Sequence, residues 1–384
     1  MFNVSEDIYY IGVDDTDIDL FEGQYTVPNG VSYNSYACID KKIAVFDTVD
    51  KRKTDEWLKH LDEVLNGAKP DYLIVSHVEP DHAASIPAFL KKYPSATVVG
   101  NEKTFLMIKR FHGDLTAEKL VVKEGDELDL GKHKITYILA PMVHWPEVMM
   151  SYDKTDKVLF SADAFGKFGA LSHEEDWLDE ARRYYINIVG KYGVPVQNVL
   201  KKAASLDIKT ICPLHGPVLK DNLKYYLAKY DTWSSYTPEY DGVLIAYASV
   251  YGNTAAAAEK LAQELKKRKV KTELTDLCRC NSAQAVASAF KYSKLVIASI
   301  TYDGGIMPCA EAFINKLKAK NFNSRTVGFI QNGSWAPCSA KTMRSYLESC
   351  KSLTFCNVTV TVNSALNDET EKQISAMSDE LANQ

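Results

Sequence analysis

His77-Val78-Glu79-Pro80-Asp81-His82 places four potential metal ligands within six positions, directly after the apolar run Tyr72-Leu73-Ile74-Val75. A buried strand that ends in such a cluster aims several nitrogen and oxygen donors at one place. Three downstream fragments have the same character: His144-Trp145-Pro146, Ser161-Ala162-Asp163-Ala164-Phe165-Gly166 and Cys212-Pro213-Leu214-His215-Gly216-Pro217. With the first they offer four imidazoles and three carboxylates, enough donors for two metal ions. Taken singly, each has an ordinary explanation. A loop His or Asp is commonly solvated. Asp81 suits the N-cap of a helix beginning at His82-Ala83-Ala84, and His144 beside Trp145 suits a packed surface histidine. The concentration of donors argues against those separate explanations.

The rest of the composition sets bounds. A chain of 384 residues holds two domains, each large enough for its own core. Charged residues at 25% and hydrophobic residues at 46% are ordinary for a globular protein. A net charge of -5 gives no electrostatic reason to expect nucleic acid as a partner. No apolar run approaches the roughly 20 residues needed to span a bilayer. The start, Met1-Phe2-Asn3-Val4-Ser5-Glu6-Asp7, is acidic and short of apolar residues, which predicts no secretory signal and a cytoplasmic location. Eight dispersed cysteines form no CxxC pair, so a disulfide framework is not expected. Cys278-Arg279-Cys280 is the one close pair, and a single intervening residue is short for a chelate.

All eight histidines lie between His60 and His215, so the chemistry of the chain changes after that point. The aromatic segment from Tyr225 to Tyr240 reads as a helix followed by the linker Thr237-Pro238-Glu239-Tyr240-Asp241-Gly242. The boundary is placed there, giving domains 1–240 and 241–384. In the first, strands are expected at 8–13, 32–39, 42–47, 72–75, 96–99, 134–138 and 158–161, with an amphipathic helix near 53–66. That mixture suggests two sheets sandwiched by helices. In the second, strands at 243–247, 272–276, 295–299, 326–331 and 358–362 alternate with helices at 254–268, 281–289, 309–320, 340–350 and 369–382. Five strands with interposed helices predict a doubly wound parallel sheet.

The loop Ala248-Ser249-Val250-Tyr251-Gly252-Asn253-Thr254 follows a strand and opens a helix. Backbone N–H groups at a helix N-terminus, with hydroxyls beside them, make a phosphate cradle. The loop resembles the flavodoxin phosphate loop, Thr/Ser-x-Thr-Gly-x-Thr, with Tyr251 in place of the usual Thr. No GxGxxG and no P-loop lysine accompany it, so dinucleotide and ATP readings lack support. Two later loops, Thr301-Tyr302-Asp303-Gly304-Gly305 and Asn332-Gly333-Ser334-Trp335, also follow strands. Ligands of such sheets lie outside the carboxyl ends of the strands, where these loops can flank a flat ring.

The metal fragments resemble those of the metallo-β-lactamase superfamily, whose first motif is normally His-x-His-x-Asp-His. Here Glu79 stands where the second His would be. A carboxylate in place of an imidazole hardens the site and adds negative charge, which favours iron over zinc. That exchange is similar to the flavodiiron branch. The resemblance implies an αββα sandwich followed by a flavodoxin-like five-stranded parallel sheet. It implies that His77, Glu79 and His144 bind one iron, that Asp81, His82 and His215 bind the other, and that Asp163 bridges them. It also implies FMN and reduction of dioxygen to water, of nitric oxide to nitrous oxide, or both. Reducing dioxygen fully takes four electrons, and two ferrous ions with a reduced flavin supply them.

With no CxxC…CxxC pair after the flavin domain, electrons are expected from a separate donor: rubredoxin or, in some lineages, a reduced deazaflavin. A head-to-tail homodimer, able to pair into a tetramer, is expected, with neither a nucleic acid nor a membrane as partner. The competing reading is a zinc-dependent hydrolase of lactamase type with a flavodoxin-like redox-sensing appendage. His60, His112 and His133 sit among charged residues and are expected to be solvated. His173, soon after Asp163, is a candidate for a layer around the metals or for a proton donor.

Overall fold

The computed structural model describes residues 1–383 and divides into two compact units, Met1–Tyr185 with Tyr192–Asp231, and Ile186–Lys191 with the chain from Thr232 onward. The first unit is built on two facing sheets. One runs in the order Phe2–Asn3, Ile8–Tyr10, Tyr36–Cys38, Ala44–Phe46, Tyr72–Ile74, Thr97–Gly100, Lys119–Val121. Its first four strands are antiparallel and its last four pair in parallel. The other runs Glu127–Asp129, Lys134–Leu139, Met149–Asp153, Val158–Phe160, Thr210–Cys212, antiparallel except for its final parallel pair.

Their inner faces share one core, in which Phe46 stacks on Phe160 at 3.8 Å between ring centroids. Helix Thr54–Leu65 covers an outer face through Trp57, Leu61 and Leu65, which recur at helical spacing. A lactamase-like αββα sandwich is the result. Burying both faces of a sheet also explains what periodicity missed. Met149–Asp153 is buried at every position, so it carries no alternation to read. The run expected as one strand at 32–39 is two, Val31–Tyr33 and Tyr36–Cys38. Asn34 interrupts it because its side-chain amide donates to the carbonyls of Pro213 and Gly216 at 2.8 and 2.7 Å.

The second unit carries five parallel strands in the order Lys271–Asp276, Tyr240–Ala248, Tyr292–Tyr302, Thr326–Asn332, Thr354–Val362. This 2-1-3-4-5 order is the flavodoxin-like one. Helices Asn253–Lys267 and Asp368–Asn383 pack together on the sheet, and Ser282–Lys291 packs against Pro308–Ala319. Each expected strand and helix of this half is present, displaced by a few residues at its ends. Among the described residues no helix is long and apolar enough to cross a membrane.

Candidate functional site

Strand Tyr72–Ile74 delivers His77 to the loop end of its sheet, and the short helix Pro80–Ala83 turns Asp81 and His82 inward. Asp163 follows strand Val158–Phe160, and His215 follows its neighbour Thr210–Cys212. The side chains meet in two groups: His77, Glu79, His144 and Asp163 in one, Asp81, His82 and His215 in the other. Asp163 faces both. Its Oδ2 lies 3.0 Å from His144 Nε2 and 3.5 Å from His77 Nε2. Its Oδ1 lies 3.2 Å from His82 Nε2 and 3.8 Å from His215 Nε2. Glu79 Oε2 is 3.1 Å from both His77 Nε2 and His144 Nε2, and Asp81 Oδ2 is 3.3 Å from His215 Nε2.

The chemistry of these donors fits cations. Both Asp81 oxygens, His82 Nε2, His215 Nε2 and Asp163 Oδ1 are buried and make no hydrogen bond. Orphaned polar atoms each cost about 1–3 kcal/mol, so a natural site that collects several has another partner for them. The electrostatics agree. Against the effect of burial, His82, His144 and His77 hold the Asp163 carboxyl well below its ordinary range. Burial lowers the imidazoles, yet Asp163 and Glu79 still raise His144 to about 9, and Asp163 with Glu147 and Glu79 raises His77 well above its usual value. The carboxylates demand positive charge here, and bound metal ions supply it while displacing the imidazole protons.

A second layer fixes the rings. His77 Nδ1 is 2.7 Å from Glu147 Oε1, and His215 Nδ1 is 2.7 Å from the Ser32 carbonyl. Each contact leaves Nε2 free for a metal. Asp47, fully buried, accepts the backbone N–H groups of Ser76 and His77. Tyr184 packs its ring 5.5 Å from His215, and its buried hydroxyl makes no hydrogen bond. Burial, then the charges of Asp163, Asp81 and Glu79, push this phenol well above its ordinary value, so it keeps its proton. A cleft of about 260 Å³, lined by Phe21, Tyr33, Arg52, Glu79 and Asp81, opens onto the centre. Glu147, Asp47 and Tyr184 were not found from sequence. The one available signal was Glu147 itself, an acid three residues after His144.

Several histidine expectations need correction. His133 is not solvated: it is fully buried, 3.1 Å from Asp153 and 3.2 Å from Asp7. His60 and His112 are half-buried against the carbonyls of Gly12 and Ala83. Charged neighbours in sequence mislead because the fold brings distant groups to these rings: carboxylates to His133 in its strand turn, and backbone carbonyls to His60 and His112 on their helices. His173 is exposed on a loop and not among the donors. Asp81 does not cap a helix; it lies within Pro80–Ala83 and its oxygens make no hydrogen bond.

In the second unit a cleft of about 440 Å³ opens at the carboxyl ends of the strands. Ser249, Val250, Tyr251, Asn253 and Thr254 line it from the first loop, Thr301, Tyr302 and Asp303 from the second, and Asn332, Gly333, Ser334 and Trp335 from the third. Ile300 and Ser364 join them. Gly252 and Gly304 lie just outside the lining and hold the turns, with φ of 89° and 72°. A flavin phosphate fits this cleft. Helix Asn253–Lys267 begins at Gly252 with no side-chain cap, and the buried Ser249 hydroxyl has no partner. Trp335 is 83% and Tyr251 92% exposed, flat surfaces held at the rim. Thr254 is less free than its motif suggests, because Asn332 donates to its hydroxyl at 3.3 Å.

Comparison with known proteins supports both units. Residues 31–216 match the ODP family beta lactamase model, and residues 244–374 match the flavodoxin domain. A nitric oxide reductase of Moorella thermoacetica is 29% identical over 82% of this chain and 81% of its own length. The flavodiiron protein of Giardia intestinalis superposes with a TM-score of 0.94 at 25% identity, covering 99% of this chain and 95% of that one. Rubredoxin oxygen:oxidoreductase of Desulfovibrio gigas gives the same TM-score and identity, covering 100% and 98%. A lactamase-type match followed by a flavodoxin match, in the order and over nearly the whole length of solved flavodiiron structures, makes the flavodiiron proteins the family that this chain resembles from end to end.

Proposed function

We propose that this protein reduces dioxygen to water, nitric oxide to nitrous oxide, or both, at a non-haem diiron centre fed by FMN. Residues 1–240 hold the metals and residues 241–384 the flavin. The observation that carries the reading is the Asp163 carboxylate, one oxygen turned to each donor group. His77, Glu79 and His144 would hold one iron, Asp81, His82 and His215 the other, with Asp163 between. The irons supply electrons and an open coordination position for a small gas, and FMN restores the electrons.

The chain's own residues set the conditions. Glu79 adds a hard, anionic donor that favours iron. Glu147 and the Ser32 carbonyl hold their imidazoles in one orientation. Tyr184 places a buried hydroxyl with no other hydrogen bond beside His215, where reduction of either gas consumes protons. The exposed aromatic faces of Trp335 and Tyr251 would shield the flavin ring, and the bare amides at the start of helix Asn253–Lys267 would receive its phosphate. Nothing in the cleft reads an adenine, so denaturation should release FMN rather than FAD. The zinc-hydrolase alternative fits less well, because Glu79 replaces the imidazole that such a site uses.

Electrons come from a separate donor protein, for which we propose rubredoxin, since a structural relative carries that name. A head-to-tail homodimer, with the flavin of one copy facing the irons of the other, completes the proposal. A cytoplasmic location is part of it, supported by eight free cysteines. Anaerobic turnover of one iron-loaded, FMN-loaded preparation with each gas tests the reading. Consumption of either gas with about two irons per chain supports it. Stoichiometric zinc, hydrolysis and no gas consumption would overturn it.

A further inference from the structure

The second unit carries a pair of thiols that neither the metal centre nor the flavin cleft uses. Cys278 and Cys309 are both free, and their Sγ atoms lie 3.4 Å apart although 31 positions separate them in sequence. Spacing in the chain points elsewhere, to Cys278 with Cys280; the fold selects Cys309 instead. Cys278 sits in a tight turn after edge strand Lys271–Asp276, where its backbone N–H donates to Asp276 Oδ1 at 2.9 Å. Cys309 is the second residue of helix Pro308–Ala319, which follows strand Tyr292–Tyr302 and the two-residue strand Gly305–Ile306 paired to its end. In the sheet these two parent strands flank strand Tyr240–Ala248, which carries the Ser249–Thr254 loop. The thiols therefore meet across the strand that leads to the phosphate cradle.

We propose that Cys278 and Cys309 form a reversible intramolecular disulfide by exchange with small disulfides of the glutathione disulfide class. Cys278 is exposed, so it meets the co-substrate first, whereas Cys309 is half-buried. Burial and the neighbouring Cys278 sulfur also push the Cys309 thiol up to about 12, which suits a resolving partner rather than the first nucleophile. The Cys278 thiolate attacks one sulfur of the small disulfide. That S–S bond breaks, and one small thiolate leaves and takes a proton from water. Cys309 then gives up its proton and attacks Cys278 Sγ, which expels the second small thiol. Two protein thiols have lost two electrons and two protons, and one small disulfide has become two thiols. The product ties the turn ahead of helix Ser282–Lys291 to the first turn of Pro308–Ala319, two helices already packed together.

The test uses the full-length holoprotein, equilibrated without oxygen in glutathione and glutathione disulfide buffers of rising disulfide fraction, then blocked by alkylation. Trypsin cuts between Cys278 and Cys280 at Arg279, so peptide 272–279 reports Cys278 alone and peptide 295–316 reports Cys309. The expected result is a covalent link between these two peptides that grows with the disulfide fraction and reverses with excess glutathione. Cys280→Ser should keep the link. Cys278→Ser should lose it, and Cys309→Ser should stop at a glutathione adduct on Cys278. Two fully alkylated thiols at every buffer ratio, a link from Cys280 instead, or a lasting adduct on Cys278 of the unaltered chain would each overturn the proposal.

Discussion

Asp163 carries more of the proposed function than any other side chain, because each of its oxygens is turned to a different donor group. Asp163→Ala should therefore remove both irons, taking the content from about two per chain to well below one by elemental analysis. His144→Ala belongs to one group and should mainly cost one iron. Equal loss in the two variants would deny Asp163 its bridging place. Tyr184 acts differently. Tyr184→Phe keeps the ring against His215 and removes only the hydroxyl, so iron and FMN content should hold while turnover drops by about 10-fold or more, the low end of a lost proton donor. An unchanged rate would remove the proton role. The seven donors were legible because strand ends and motif-like clusters concentrate them. Tyr184 was not, since it sits in Arg182-Arg183-Tyr184-Tyr185 and looks like one more aromatic on an amphipathic helix. Glu147 was equally hidden, because its relation to His77 spans 70 positions and exists only in the fold.

Among elements, the turn into helix Asn253–Lys267 and the turn holding His133 make opposite demands. Gly252 has a φ of 89° and open space where a Cβ would stand. Gly252→Val should thus fail through backbone strain of about 1–2 kcal/mol, which displaces the turn whose amides would take the phosphate. The purified variant should be colourless, with iron unaffected, as read by absorbance and elemental analysis. His133 lies in the turn between Glu127–Asp129 and Lys134–Leu139 and joins Asp153 to Asp7. Its hydrogen bond to Asp153, with that to Asp7, outweighs burial and raises the imidazole to about 9.

The unfolded value lies near 6.5, so this stabilisation is complete below about pH 6.5 and is lost as pH rises through about 9. It amounts to something on the order of 2 kcal/mol. Denaturant unfolding of the unaltered chain should weaken over that interval, and His133→Leu should flatten the profile. The same pair of regions shows why legibility differed between the halves. In the flavodoxin-like half, parallel strands alternate with helices and each boundary is marked by a change of period. In the lactamase-like half, short strands such as Thr210–Cys212 are buried throughout and turn-borne polar residues find partners far along the chain.

Across the whole molecule, the donor groups for the metals and the flavin cleft belong to different compact units, and the proposed dimer makes delivery of electrons a matter of assembly. In the proposed head-to-tail dimer, two-fold pairing would make both flavin-to-iron contacts at once. Mixing His82→Ala with Gly252→Val under conditions of subunit exchange should restore activity. Statistical pairing gives half mixed dimers with one intact contact each, roughly a quarter of the native rate. No recovery after demonstrated exchange would mean that electrons pass within one chain.

The fold also distributes its five tryptophans in a useful way. Trp57, Trp177 and Trp233 are buried away from solvent, whereas Trp335 stands 83% exposed at the flavin cleft. Trp145 packs edge-on to His77 at 5.2 Å. The indole of Trp335 should emit at long wavelength in the flavin-free protein and dim as the yellow ring settles on it. Trp145 should dim with iron instead. Each cofactor thus has a native lamp beside its seat, and removing one lamp at a time, Trp335→Phe or Trp145→Phe, lets the filling of either seat be followed by light alone.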